Sequence, residues 1–100
     1  MSKLPESSPY PSTNQVLSLF KDRCPKCRNI ANTVHELEPR SRGQYTMRMQ
    51  NRTAICDKCH DEFHQQGASE VNVSVWKEII FDFLMDIGTW VVYRDWGKDE

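Results

Sequence analysis

The chain lacks the features that would carry it into or across a membrane. It has no run of about 18 consecutive apolar residues. Its start has neither the basic region nor the apolar core of a signal peptide. The expected location is therefore the cytoplasm, with no membrane partner. Cysteine is scarce, four in 100 residues, and histidine scarcer, three. Structural disulfides are rare in a reducing compartment, so the cysteines call for another explanation. No internal repeat or heptad pattern is visible, which argues against a solenoid or a coiled coil. A strongly basic balance is also missing, since the net charge is −1.

What is present suits one small soluble domain, with 38% hydrophobic and 27% charged residues. A domain of this size buries a low fraction of its surface, so a metal or an oligomer partner is expected to supplement the core. Residues 1–12 hold Pro5, Pro9 and Pro11 among several serines and read as a flexible tail. Residues 13–67 carry the motifs, and residues 68–100 read as a helical extension that packs on the core or forms a dimer interface. The small net charge hides an asymmetry. Residues 21–58 hold nine Lys and Arg against four acids, whereas residues 61–100 hold three against nine. Local field decides whether a polyanion is attracted, so the middle segment can face phosphates while the acidic part faces away or meets another protein.

The spacing predicts a short helix over 13–21, with Val16, Leu17 and Phe20 on one side. Strands are expected over 32–37 and 52–55, joined by a basic loop whose most flexible point is Gly43. A helix over 57–66 is closed by Gly67. A longer helix starts from Ser74 as N-cap, with Trp76, Ile79, Ile80, Phe83, Leu84 and Ile87 recurring at helical spacing until Gly88. Residues 90–96 favour strand by type but could also continue the helix. Trp76, Phe83, Trp90 and Trp96 are expected in the core.

All four cysteines fall in two pairs, Cys24-x-x-Cys27 and Cys56-x-x-Cys59. Each pair offers two thiolates from one turn, and two such turns complete a tetrahedron around a structural zinc. Because the unfolded chain has no such site, the binding free energy becomes folding free energy. The three histidines lie close by: His35 in the first strand, His60 and His64 one helical turn apart directly after Cys59. Three imidazoles with positions left for water and phosphate describe a second, catalytic cation site, separate from the cysteines.

From His35-Glu36-Leu37-Glu38-Pro39-Arg40-Ser41 through Asn51 to Cys59-His60 and His64, the chain resembles the HNH endonucleases, in the subgroup bracketed by two CxxC pairs. From Glu36 to Asn51 is fifteen residues, from Asn51 to His60 nine, and from His60 to His64 four, as in that family's pattern. The likeness covers about residues 24–66. It implies an α+β fold, a small zinc-stabilised ββα-metal (His-Me finger) domain with a C-terminal helix packed on it. It also implies hydrolysis of DNA phosphodiester bonds with one catalytic divalent metal (Mg2+, Mn2+, Ni2+ or Zn2+), as in stand-alone, phage-like members. The catalytic positions would be His35, Glu36, Asn51 and His60, with His35, His60 and His64 as ligands of the catalytic metal. Asn51 would brace the loop between the strands or ligate the metal. Arg40, Arg42, Arg48 and Arg52 would contact the nucleic acid, double-stranded DNA by preference and RNA as a minor alternative. A homodimer or a recruiting protein would complete the assembly.

The departure is Glu36, where the family has a general-base histidine. With unperturbed pKa values of about 4.3 for glutamate and about 6.5 for histidine, the carboxylate is the poorer proton acceptor. The alternative expectation is thus a catalytically weak or inactive zinc-binding module that contacts DNA or a DNA-processing protein.

Overall fold

The computed structural model describes residues 10–67 and 69–97, except for the side chains of Arg40 and Gln44. Helix α1 (Thr13–Leu19) is followed by the first cysteine turn and strand β1 (Thr33–Glu36). Three 3-10 turns lead to strand β2 (Arg52–Ile55), and then come α2 (Asp57–Gln66), α3 (Glu70–Ile87) and α4 (Trp90–Arg94). The result is a small α+β protein whose two strands pair antiparallel, with His35 opposite Thr53 and Glu36 opposite Arg52. Among the described residues no helix is long and apolar enough to cross a membrane.

The expected tail ends sooner than residue 12. Residues 1–9 lie outside the described residues, but Ser12 caps α1. Its hydroxyl accepts from the Gln15 N–H at 3.1 Å, and the Gln15 side chain accepts from the Ser12 N–H at 2.8 Å. This reciprocal box satisfies two N–H groups that a helix start leaves without partners. Pro11 is buried and its carbonyl accepts a 2.7 Å bond from Arg52.

The strands and α2 fall close to where the sequence placed them, but the start of α3 does not. Ser69, not Ser74, is the cap: its hydroxyl accepts from the Asn72 N–H at 3.1 Å, and Asn72 Nδ2 donates to the Gly67 carbonyl at 2.6 Å. Those two bonds carry the helix a full turn earlier and bury Asn72 and Val73. Helix α3 stops at Gly88, whose φ of 84° lies in the left-handed region that a side chain disfavours. Beyond it the chain resumes as a separate short helix, so the strand preference of residues 90–96 is overridden.

One core unites these parts. Val16, Phe20, Ala54, Ile55 and Phe63 share a buried cluster with Val73, Trp76, Ile80, Phe83, Leu84, Tyr93 and Trp96. Phe20 sits at its centre, with ring centroids 6.1 Å from Phe83 and 5.7 Å from Tyr93. A hairpin of two four-residue strands is marginal by itself, and α1, α3 and α4 supply the apolar surface it needs. Of the four aromatics expected in the core, Trp76, Phe83 and Trp96 are buried while Trp90 is half-buried. Gln50 ties α4 to the end of the loop: its Nε2 lies 2.9–3.2 Å from the carbonyls of Tyr93, Arg94 and Trp96.

Candidate metal centres

The four cysteines converge. Their sulfurs all lie within 4.8 Å of one another, and Cys27 and Cys56 approach to 3.4 Å. Sulfurs at about 2.3 Å from a tetrahedral zinc would be roughly 3.8 Å apart, so the cluster has zinc-site dimensions. Two local structures build it. The Cys24 turn is closed by Cys24 N–H to the Asn29 carbonyl at 2.8 Å and Arg28 N–H to the Cys24 carbonyl at 2.7 Å. It needs Arg28 at a φ of 66°. Cys56 is the N-cap of α2, and its sulfur accepts from the Cys59 N–H at 3.5 Å.

Burial and mutual contact shift the thiols in different directions. Burial, aided by the neighbouring sulfurs, pushes Cys59 well above the ordinary thiol range, and burial raises Cys27 as well. At Cys56 burial also raises the pKa, but the Cys59 backbone N–H and the surrounding thiols outweigh it and hold the group low. Four thiolates could share this cluster only with a positive charge among them, which a zinc ion held by the four sulfurs would supply.

The histidines form a second cluster. His35 extends from β1, and His60 and His64 from successive turns of α2. His35 Nδ1 lies 3.2 Å from His60 Nε2, which lies 3.0 Å from His64 Nε2. The His60 nitrogen thus faces two others while having only one proton or one lone pair to offer. Nitrogens at about 2.0–2.1 Å from a common cation, at tetrahedral or octahedral angles, would be roughly 2.8–3.4 Å apart, so the donor set matches a bound ion. His35 is pressed edge-on against Phe63, ring centroids 4.5 Å apart. Burial first, then the charges of His60 and His64, hold its pKa down at about 4. It therefore stays neutral, as a metal ligand must. Its Nε2 is buried and has no hydrogen-bond partner among the described residues.

Comparison with family models, with curated proteins and with solved structures gives no match.

The other expected site residues divide into groups. Asn51, nearly buried, braces the loop: its Oδ1 accepts from the Glu38 N–H at 3.0 Å, and its Nδ2 donates to the carbonyls of Glu38 at 3.1 Å and Thr46 at 2.7 Å. All three bonds go to the loop, and none to the histidines. Glu36 stays out of the histidine cluster. Successive residues of a strand point to opposite faces, so Glu36 is turned away from the side that His35 serves. Its carboxylate lies 3.6 Å from the Arg52 guanidinium, directly across the ladder. Arg52 is an internal strut, reaching both Glu36 and the Pro11 carbonyl. Arg42 and Arg48 are exposed on the loop, Arg42 within 3.8 Å of Glu38. The side chain of Arg40 lies outside the described residues.

Two residues the sequence did not single out shape the loop. Tyr45 donates its hydroxyl to Glu38 at 2.6 Å, and its ring lies against Gly43, where an added Cβ would come within 3.1 Å of it. Lys77 reaches from α3 to within 3.9 Å of the same carboxylate. The spacing of Gly43 and Tyr45 was a weak signal for the first; nothing local announced the second.

Proposed function

We propose that this protein is a metal-dependent phosphodiester hydrolase acting on DNA, an endonuclease of the HNH kind with a structural zinc and one catalytic divalent metal. The observation that carries the reading is the meeting of His35, His60 and His64 through ring nitrogens 3.0–3.2 Å apart, on a hairpin and helix tied together by the cysteine cluster. What a divalent cation supplies when held there is Lewis-acid polarisation of a phosphodiester oxygen and a more acidic attacking water. The chain's own contribution is positional. Phe63 fixes the His35 ring, Asn51 holds the loop, and Arg42 and Arg48 offer guanidinium groups that suit phosphate oxygens. His64, the most exposed of the three, leaves the cluster open to a polymer substrate.

A second reading has an observation in its favour. Glu36 is paired with Arg52 on the far face of the strand, so the residue expected as the base is not placed beside the histidines. This favours a DNA-binding module of little or no activity. One experiment separates the two: nicking of supercoiled plasmid by zinc-loaded protein with added magnesium, manganese, nickel or zinc, beside His60→Ala and Glu36→His. Nicking by the wild type that His60→Ala abolishes supports the hydrolase. No nicking with any metal by protein that binds DNA, in the wild type and in Glu36→His alike, moves the conclusion to the module.

A further inference from the structure

Past the loop end of the hairpin, two cavities that share lining residues make a groove, of about 280 and 140 Å3. Gln50 and Lys77 line both; Tyr45 and Arg48 stand at one end, Trp90 and Arg94 at the other. The Trp90 indole is half-buried and backed by two rings, Tyr93 nearly parallel with centroids 5.8 Å apart and Phe81 in a T-shaped contact at 4.8 Å. Lys77 is half exposed beside it. Gln50 Nε2 is engaged with the α4 carbonyls, while its Oε1 accepts no hydrogen bond among the described residues. The acid of the groove is Glu38, which already meets Tyr45, Arg42 and Lys77.

We infer that this groove binds an unpaired nucleotide, stacking its base on Trp90 and holding its phosphate with Lys77 and Arg48. A fixed aromatic platform within a cationic groove is how proteins take single-stranded nucleic acid with little sequence preference. The position fits as well. Asn51 lines the groove, and Thr53, two residues or roughly 7 Å further along the strand, pairs with His35. That the neighbouring nucleotide lies at the histidines rests on the hydrolase reading; the binding itself does not.

The test is quenching of tryptophan fluorescence in the zinc-loaded full chain by a short thymidine oligonucleotide, with a duplex of equal length beside it. Saturable quenching is expected, stronger for the single strand. Trp90→Leu should remove the quenching and weaken binding, followed by anisotropy of a labelled oligonucleotide, about ten-fold. Lys77→Gln, which alters only an exposed side chain, should weaken binding and flatten its salt dependence. Absence of quenching, binding indifferent to Trp90→Leu, or equal preference for duplex overturns the inference. Should Trp90→Leu fail to fold, wild-type affinity in Lys77→Gln overturns it. Trp90-dependent binding without nicking sinks the hydrolase and leaves the groove standing; nicking without Trp90-dependent binding does the reverse.

Discussion

Replacing Asn51 by Asp should harm the protein more than replacing it by Ala, although Asp is nearly the same shape. The amide's orientation is fixed by its partners, one N–H and two carbonyls. In Asn51→Ala three bonds vanish at a nearly buried position, and the loop groups they satisfied lose that partner. At about 1 kcal/mol net per bond, with more where a group is left buried and unpaired, the loss is about 3 kcal/mol. For a domain near 100 residues that lowers the melting temperature by about 12 °C or more. Asn51→Asp keeps the acceptor for the Glu38 N–H but aims a second oxygen at the carbonyls of Thr46 and Glu38, at 2.7 and 3.1 Å. Bonds become repulsions, so the loop must open or the acid must take up a proton, at a further cost of about 1–3 kcal/mol. The assay is thermal and urea unfolding of all three proteins at one buffered zinc concentration. An Asp variant that melts at or above the Ala variant would refute the assigned bracing role.

Three further outcomes are expected. Cys56→Ser should lose tight zinc binding, read by colorimetric zinc release, and its cooperative unfolding transition, because the thiol held low by its helix position is gone. His35, with a pKa held at about 4, lies below the unfolded value of about 6.5. The unfolded chain therefore takes the proton first, and the stability this imidazole contributes above about pH 6.5 is lost as pH falls toward 4. NMR titration of protein with zinc at the cysteines alone should find the His35 ring still neutral one unit below the ordinary value; a midpoint near 6.5 would refute its burial. Phe83→Ala should cost about 3–5 kcal/mol in urea unfolding, since Phe83 is 2% exposed and packs against both Phe20 and the Arg28 guanidinium.

Much of this was legible in the sequence, for identifiable reasons. The cysteine pairs and the i, i+4 histidines are local spacings, and local spacing survives folding. Strand β2 and helix α2 are likewise bounded by their own residues. What escaped depends on distant partners. Arg52 reads as a solvent-facing phosphate ligand until its guanidinium meets the Pro11 carbonyl, 41 residues away. Gln50 gives no hint that it will secure the carbonyls of α4, at least 43 residues on. Ser69 and Ser74 are equally good caps by type, and the bond from Asn72 to the Gly67 carbonyl decides between them. Glu36 was legible as a departure, but that it turns toward Arg52 required the register of the ladder.

The adjacency of Cys59 and His60 has a consequence for how such a chain can vary. One side chain faces the sulfur cluster and the next faces the imidazoles, so a single peptide bond sets the phase between the two centres. One inserted residue there would rotate everything downstream on the helix by about 100° and carry His60 and His64 away from His35 together. Among the described residues the loop over 39–50 supplies no member of either cluster and is free of that constraint. Among descendants of this chain, changes in length should collect in the loop and be absent between Cys56 and His64.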